Sequence, residues 1–313
     1  MKYRTFPDGR KWFAGCIPVT TPNVYITGSN ARLLSGELAT HLTGRYITIP
    51  VYPLSFDEYQ RHHRAQGTTD STDQLFSRYM MFGGMPGLFV TGQPDQDRAT
   101  EILTSIYESI VLKDVAGRYG IRDIATLEKL SRYLFSTSGN LFSVNNVANT
   151  LASAGANASY ATVDNQISAL ERSFIVYSAQ QERMRGKELL RPQRKFYPVD
   201  NGFRNLATGF NGSDRGAQLE GIVFMELQRR GYDVTIGSLP DGEIDFIAKR
   251  GNDKQYIQVT LNMTEEQTRE RELAPLRRLG DAFPRTVLTL DWHSEGMTDE
   301  GIHITNVMDW LCS

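Results

Sequence analysis

The 313-residue sequence is poor in cysteine and has no hydrophobic run of membrane-spanning length. Its two cysteines, Cys16 and Cys312, lie near opposite ends of the chain, which argues against a disulfide framework and against a zinc site. No apolar stretch approaches the roughly 18 residues that a bilayer-spanning helix needs. The short apolar run at residues 12–19 contains Gly15 and Pro18 and lacks a clear cleavage site. We therefore expect no signal peptide, no membrane contact and a reducing, cytoplasmic environment.

Charge is distributed unevenly along the chain, although the formal net charge is only −2. Residues 1–119 contain 12 basic and 11 acidic groups, residues 120–200 contain 10 and 7, and residues 201–313 contain 12 and 18. The middle segment is therefore the candidate for attracting a phosphate backbone. The acidic last third would repel DNA unless metal ions offset its charge.

Two short segments near the end, residues 243–246 and 256–260, carry the clearest chemical pattern. Because side chains on a strand alternate between faces, a hairpin of these segments has one apolar and one polar face. The apolar face is predicted to hold Ile244, Phe246 and Ala248, and the polar face to hold Glu243, Asp245, Gln258 and Thr260. Such a polar face can hold a divalent metal ion, or it can be a solvated sheet edge.

A third acid lies on a helix predicted over residues 217–230, which Gly231 ends. Glu220 falls in the same helical stripe as Val223, Phe224 and Leu227. A carboxylate in an apolar stripe is costly unless it is paired or ligated. The position of Glu220 therefore strengthens the metal interpretation.

One acid on a helix, two on a strand and a polar group on the next strand form the layout of the PD-(D/E)xK nuclease fold. In that layout acids bind Mg²⁺ and a lysine helps to activate water. The layout makes Glu220, Glu243, Asp245 and Gln258 the candidate catalytic residues, with Glu220 and Asp245 as candidate Mg²⁺ ligands. The expected E-x-K motif reads Gln258-Val259-Thr260, so the lysine is absent and the acid is an amide. The alternative is a partly polar sheet, covered by an amphipathic helix, with no catalytic role.

Residues 120–200 read as three helices followed by a β-hairpin, which is the pattern of a winged helix. The helices are predicted at 126–136, from Ser143 onward and at 160–171, and the strands at 174–179 and 195–199. The hairpin tip has a single acid, Glu188, and six basic residues that predict contact with a DNA backbone: Arg183, Arg185, Lys187, Arg191, Arg194 and Lys195. The alternative is a solvated loop or a contact between domains, because the third helix offers Asp164 and no basic residue.

The first block has the features of an α/β sheet and ends in a glycine-rich segment. A strand at residues 24–27 ends in Gly28-Ser29-Asn30-Ala31, a helix follows at 32–42, and a second strand covers 46–51. Polar residues at the carboxyl edge of such a sheet are where ligands bind. Farther along, Gly83-Gly84-Met85-Pro86-Gly87 predicts a tight helix junction.

Taken in order, these segments resemble the bacterial and archaeal AAA-superfamily ATPases whose C-terminal half is the DUF4143 domain. The resemblance extends from Asn23 across nearly the whole chain and rests on the segments at 25–31, 34–39, 44–46, 83–87, 121–123, 219–223, 229–232, 243–246 and 256–259. It implies an α/β multidomain protein. A partial AAA+ core with a helical lid is expected at 1–118, a winged-helix domain at 119–205, and a restriction-endonuclease-like domain at 206–313.

The sequence departs from this family at its nucleotide-binding motifs. It contains no P-loop, G-x-x-x-x-G-K-[ST], and no acidic Walker B strand before Val24. The resemblance makes Asn30 the sensor residue near the γ-phosphate of ATP and gives Arg45 a phosphate contact. Without the loop that holds ATP, neither residue has a phosphate to bind.

We therefore expect a truncated family member that does not hydrolyse ATP alone. Its expected role is that of a DNA-associated or protein-interaction module, with DNA, another copy of the chain or another protein as partner. Two alternatives remain open at this point. One is a Mg²⁺-dependent nuclease of the PD-(D/E)xK type, and the other is an ATPase whose P-loop is missing from this chain.

Overall fold

The structure is a computed structural model that describes residues 25, 27–28, 47–90, 92, 94–156, 158–183, 193–210, 214–240 and 242–313. Residues 50–313 form one compact unit, which is the part described below. Asn30 and Arg45 lie outside the described residues, and so do Arg185, Lys187 and Arg191. The nucleotide contacts assigned to the first two residues therefore stay predictions.

Ten α-helices occur in the described part of the chain. They are α1 (Phe56–Ala65), α2 (Thr72–Phe82), α3 (Gln96–Ser109), α4 (Ile124–Ser136), α5 (Val144–Ser153), α6 (Tyr160–Arg172), α7 (Asn201–Thr208), α8 (Arg215–Arg229), α9 (Glu266–Arg277) and α10 (Val307–Cys312). Several of these helices are capped at their first turn by a side chain that accepts a hydrogen bond from a backbone N–H group. Before α1, the Ser55 hydroxyl accepts from Glu58 N at 3.1 Å and the Glu58 carboxylate accepts from Ser55 N at 2.8 Å, which is a capping box. Among the described residues, no helix is both long and apolar enough to cross a membrane.

The described strands form one mixed sheet of nine strands, in the order β1-β3-β2-β4-β5-β6-β7-β9-β8. They are β1 (Leu141–Phe142), β2 (Val176–Arg183), β3 (Arg194–Pro198), β4 (Asp233–Leu239), β5 (Gly242–Arg250), β6 (Asp253–Thr260), β7 (Arg285–Thr289), β8 (Gly296–Met297) and β9 (His303–Asn306). Strand β2 pairs with β4, β6 with β7 and β7 with β9 in parallel, and the other neighbours are antiparallel. The α/β class expected from the sequence is confirmed.

The middle of the unit contains the three helices and the hairpin that the sequence predicts, together with one short extra strand. Its order is α4, β1, α5, α6, β2 and β3, with β3 between β1 and β2. Ser143 caps α5 by accepting from Asn146 N at 3.4 Å, as the sequence predicts. The outer edge of β2 pairs with β4, so the hairpin continues directly into the sheet of the last hundred residues.

The last hundred residues follow the order α8, β4, β5, β6, α9 and β7. Strands β4 to β6 form an antiparallel meander, and α9 connects β6 to its parallel neighbour β7. The helix predicted at 217–230 is confirmed as α8, and Gly231 follows it with φ 78°. The finer identification of this unit with a PD-(D/E)xK domain stays a proposal.

The predicted faces of β5 are wrong at Glu243 and Ile244, where the pairing of the strand shifts. Between β4 and β5 the pairing changes from Thr235–Ile247 to Gly237–Ile244, so β5 contains one extra residue. A bulge of this kind breaks strict alternation. As a result, Ile244 packs in a different core from Phe246 and Ala248 instead of sharing their face.

Three apolar cores hold the unit together. The first joins α3 to α7 with β3, the second joins α1, α2 and α8 to one side of the sheet, and the third joins α9 to β5, β6 and β7. The first core includes both Leu103 and Leu130, which lie on opposite sides of the predicted limit at residue 118. The first core therefore extends across the predicted limit at residue 118, and the division of the chain at 118 and 205 stays a prediction.

The glycine-rich segment after α2 makes the tight junction that the sequence predicts. Gly83 ends α2 with φ 78°, and a short 3₁₀ turn follows at Pro86–Phe89. Buried Asp200 explains the glycines, because it accepts hydrogen bonds from Gly84 N at 2.7 Å and from Gly202 N at 2.8 Å. A Cβ atom at Gly83 would lie 1.8 Å from the Asp200 carboxylate.

Candidate functional site

Carboxylates from two elements surround one lysine near the point where β5 and β6 separate. The backbone pairing of these strands ends at Phe246–Ile257. Beyond that pair, Asp245 Oδ2 accepts from Val259 N at 2.8 Å and Gln258 Oε1 accepts from Asp245 N at 3.3 Å. Side chains thus replace the ladder bonds, and the strands are free to diverge there.

The lysine at this point is Lys195, which comes from β3. Its Nζ lies 3.3 Å from Glu220 Oε1 and also contacts the Glu243 carboxylate. The Tyr197 hydroxyl, two residues farther along β3, donates to Glu220 Oε1 at 2.7 Å. We call Lys195, Tyr197, Glu220, Glu243 and Asp245 the acid–lysine cluster.

A second polar pair lies directly beside the acid–lysine cluster. Gln258 Nε2 donates to Glu272 Oε2 on α9 at 3.0 Å, and the Arg271 guanidinium binds the other oxygen of Glu272 at 2.7 Å. Gln258 and Glu272 are both buried. Gln258 therefore links the backbone of β5 to α9, and both ends of its amide are engaged.

Burial and mutual repulsion raise the pKa values of Glu220 and Asp245. Burial raises the pKa of Glu220, while Lys195 and the Tyr197 hydroxyl oppose that rise. Burial raises the pKa of Asp245 well above its usual value, and the Glu220 carboxylate adds to the effect. Burial on its own lowers the pKa of Lys195, but Glu220, Glu243 and Asp245 outweigh it and raise that pKa. Lys195 is therefore charged at neutral pH, and it opposes the rise in the pKa values of Glu220 and Asp245.

The contacts of the acids do not fit the divalent metal ion that the nuclease-like layout implies. A metal ion needs free carboxylate lone pairs, but Glu220 Oε1 is bound by Lys195 and Tyr197, and Asp245 Oδ2 is bound by Val259 N. Among the described residues, no three or more His, Cys, Asp or Glu side chains are arranged to hold a metal ion. The arrangement instead suits an ammonium group, which is the one already present.

The structure brings together the four acid and amide residues that the sequence selects, Glu220, Glu243, Asp245 and Gln258. Their catalytic and metal-binding roles stay predictions. Sequence reasoning missed Tyr197 and Glu272. Alternation along β3 places Tyr197 on the face of Lys195, and Glu272 lies one helical turn before Leu276, which is fully buried. Both patterns were readable in the sequence.

The basic hairpin is described only at its ends. Lys195 is 5% exposed and faces the acids. Arg194 lies 3.4 Å from Asp164 and 3.6 Å from Glu171. Both residues are thus paired with carboxylates of the same chain, whereas the sequence predicted that they face DNA. Contacts of Arg183, Arg185, Lys187 and Arg191 with DNA stay predictions.

Comparisons with known proteins find two family models that match parts of this chain. A family model of an AAA domain matches residues 6–60, which supports an AAA-superfamily ATPase-like region there. A model of a domain of unknown function, DUF8612, matches residues 73–214. The finer resemblance to DUF4143 is therefore not shown, because the model found over the middle of the chain is a different one. No solved structure matches the chain.

Two relatives of the chain are themselves uncharacterized proteins. One, from Haemophilus influenzae, is 38% identical over 92% of this chain and 70% of its own length. The other, from Methanocaldococcus jannaschii, is 28% identical over 80% of this chain and 58% of its own length. The chain belongs to the same family as the Haemophilus protein.

Proposed function

We propose that this chain belongs to a family of AAA-superfamily ATPases and that residues 50–313 serve as its DNA-associated module, without nuclease chemistry of their own. The acid–lysine cluster is the observation that argues against nuclease chemistry. Its carboxylates are bound by the chain's own Lys195, Tyr197 and backbone, and Gln258 and Thr260 replace the acid and lysine of the E-x-K motif. The AAA match at 6–60 supports the family assignment.

The order of elements in the middle of the unit supports DNA as the partner. A helix, a short strand, two helices and a hairpin, with β3 between the other two strands, is the arrangement of a winged helix. The segment between β2 and β3 has Arg185, Lys187 and Arg191 against Glu188. We assign backbone contacts to those three basic residues, because Arg194 and Lys195 are engaged within the chain.

The test is salt-dependent binding of a duplex DNA oligonucleotide to the full chain, followed by fluorescence anisotropy. Replacement of Arg185, Lys187 and Arg191 by glutamine should lower the slope of log affinity against log salt by about 2 to 3, because each phosphate that the protein neutralises contributes about 0.9 to that slope. A matched control replaces three exposed basic residues outside the hairpin, Lys113, Arg122 and Lys129, by glutamine. Equal slopes for the two triple variants would remove the hairpin from the proposal.

ATP hydrolysis is not assigned to this chain by itself, because its 313 residues contain no P-loop motif. Release of phosphate from ATP by the purified chain, at a rate proportional to its concentration, would contradict that assignment.

The second candidate is the metal-dependent nuclease. The convergence of Glu220, Glu243 and Asp245 favours it, and so does the order α8, β4, β5, β6, α9 and β7. The assay is plasmid cleavage with Mg²⁺ or Mn²⁺. Cleavage that Asp245→Ala abolishes would establish this candidate in place of the one we propose.

A further inference from the structure

A cavity of about 250 Å³ lies where α2, α7 and α8 meet, and none of its described lining residues belongs to the acid–lysine cluster. The buried part of its lining comes from four residues, Met80, Asn205, Phe210 and Gln218. The exposed part comes from Ser77 and Arg215. The cavity therefore has a buried, partly apolar floor and a polar mouth that solvent reaches.

The amide of Asn205 has one hydrogen-bonding atom that the chain does not use. Its Nδ2 donates to Met80 O at 2.9 Å and to Met81 O at 2.7 Å, which are carbonyl groups in the last turn of α2. Because carbonyl oxygens only accept, these two bonds fix the orientation of the amide. The remaining atom, Asn205 Oδ1, is buried and has no partner among the described residues. An N–H or O–H group of a ligand would provide the missing donor.

Gln218 adds a second amide without a partner. The residue is 5% exposed, and its backbone oxygen accepts from Asn201 Nδ2 at 3.1 Å. Its side-chain amide lines the cavity and makes no hydrogen bond with any residue that the structure describes. Since buried polar groups nearly always have partners, the two amides indicate that the cavity holds polar groups of a ligand.

The mouth of the cavity favours negative charge. Helix α8 begins there at Arg215, and Asp214, the residue before it, binds Arg204 instead of capping the helix. Arg215 itself makes no ion pair within the part of the chain that the structure describes. The first N–H groups of a helix and a guanidinium beside them both stabilise an anion.

Phe210 forms an apolar wall of the cavity from a strained position. Its φ of 54° is left-handed, which is rare for a residue with a bulky side chain, and Gly209 before it is left-handed as well. This turn lets Phe210 N donate to Asn205 O at 2.9 Å and places the Phe210 ring 6.0 Å from the ring of Phe82. Backbone strain of this kind is concentrated at sites that hold ligands.

We propose that this cavity binds a small organic anion that also carries an N–H or O–H donor. The acidic group lies at the mouth beside Arg215 and the start of α8, the apolar body packs against Met80 and Phe210, and the donor meets Asn205 Oδ1. The volume is below the roughly 300 to 1,000 Å³ of sites for drug-sized molecules, so the ligand has about a dozen non-hydrogen atoms. This inference rests neither on DNA binding nor on the absence of nuclease chemistry, and each proposal can fail alone.

The experiment titrates the full chain with three matched probes and follows them by saturation-transfer difference NMR. Indole-3-acetate has a carboxylate, an apolar ring and an N–H group. Indole-3-acetamide lacks the charge, and 1-methylindole-3-acetate lacks the donor. We expect a Kd of about 1 mM or lower for indole-3-acetate. Binding should be about tenfold weaker for the acetamide and about fivefold weaker for the methylated probe.

Two variants and one control assign the binding to this cavity. Ser77→Leu fills the mouth at an exposed position of α2 and should abolish binding of all three probes, with a Tm within about 2 °C of the wild-type value. Arg215→Gln should reduce the preference for the acetate over the acetamide from about tenfold to about threefold, because the N-terminus of α8 remains. Arg122→Gln removes an exposed arginine elsewhere and should leave that preference unchanged.

Four results would overturn the proposal. They are no binding of indole-3-acetate up to about 10 mM, binding that persists in Ser77→Leu, a preference for the acetate that Arg215→Gln leaves intact, and an equal loss of that preference in Arg122→Gln. If Ser77→Leu does not fold, the comparison of Arg215→Gln with Arg122→Gln decides alone.

Discussion

Asp200 is buried, Asp245 is partly buried, and both have raised pKa values, but one is held by the backbone and the other mainly by side chains. Asp200 is held by two backbone N–H groups, those of Gly84 and Gly202. Asp245 has one backbone partner, Val259 N, and its pKa otherwise depends on the charges of Glu220, Lys195 and Glu272. The donors to Asp200 are backbone N–H groups of two glycines. The surroundings of Asp245 depend on charged side chains from separate elements.

This difference distinguishes an acid that holds the fold together, Asp200, from an acid in a candidate functional site, Asp245. Backbone donors at a glycine junction cannot be exchanged for a ligand without unfolding the junction. Side-chain charges that meet from β3, β5 and α8 can be rearranged by one substitution or by one bound ion. Charged groups that meet from separate elements and are held mainly by side chains are therefore the candidate functional groups of this chain.

The largest expected loss of stability follows from a change at the glycine junction after α2, where Gly83 and Gly84 contact Asp200. Gly83→Ala introduces a Cβ atom 1.8 Å from the Asp200 carboxylate at a residue with φ +78°. We expect a loss of about 4 kcal/mol in the free energy of unfolding, from backbone strain in a conformation that essentially only glycine adopts, together with overpacking. Urea denaturation measures it.

Gly67→Ala is the matched control for this prediction. Gly67 has φ +79° but no atom within 4 Å of the added Cβ. Its expected loss is about 1 kcal/mol, because only the backbone strain remains. Equal losses for the two variants would mean that the carboxylate does not fix the junction.

The next effect is the pH dependence that Asp200 contributes. Burial raises the pKa of Asp200 to about 6, although the bonds from Gly84 and Gly202 oppose the rise. The folded pKa lies above the unfolded value of about 3.9, so this contribution to stability is complete below about pH 4 and is lost as the pH rises through 6. It amounts to about 3 kcal/mol, from 1.36 kcal/mol for each pKa unit.

Asp200→Asn removes this titration. The difference in unfolding free energy between the wild-type chain and this variant should therefore shrink by about 3 kcal/mol between about pH 4 and pH 7.5. Glu220 and Asp245 titrate in both proteins, so their contributions cancel in the difference. A difference that stays constant with pH would show that Asp200 ionises normally.

The smallest effect tests the hydrogen bond between a tyrosine and the acid–lysine cluster. Tyr197→Phe removes the hydroxyl that donates to Glu220 at 2.7 Å. We expect a loss of about 2 kcal/mol, since hydrogen bonds to carboxyl groups contribute most where little water reaches them, and the Glu220 side chain is 16% exposed. Tyr256→Phe removes a comparable bond of 2.5 Å to Asp281, whose side chain is 34% exposed.

For Tyr256→Phe we expect a loss below about 1 kcal/mol, because water can replace the hydroxyl at an exposed carboxylate. Both losses are measured by urea denaturation at the same pH. A larger loss for Tyr256→Phe than for Tyr197→Phe would mean that Glu220 does not need its hydroxyl partner.

Much of the site was predictable because its acids lie on elements with strong local signals. The apolar stripe around Glu220 predicts α8, and the polar turn at Gly251 predicts the β5–β6 hairpin. Glu243, Asp245 and Gln258 then lie on those two strands, but alternation does not give their faces, because Glu243 contacts Lys195 whereas Gln258 donates to Glu272 on α9. The bulge that moves Ile244 to the other core was not predictable, because it depends on how β4 pairs with β5.

Lys195 shows most clearly what local patterns leave open. Among six basic residues around residues 183–195, it reads as part of a DNA-binding hairpin. Its actual surroundings follow from β2 pairing with both β3 and β4, which brings β3 into the sheet of the acids. That pairing joins residues about fifty positions apart, such as Gln180 and Thr235, and no periodicity within either segment reports it.

The sequence by itself determined the class of each element, the positions where glycine is required and which helix and strands supply the acids of the cluster. These properties depend on neighbours within a few residues, where periodicity and backbone sterics act. The tertiary structure alone decided which cation those acids receive. Coulomb and desolvation energies depend on distances in space, and the sheet sets those distances by joining strands that are far apart in the chain.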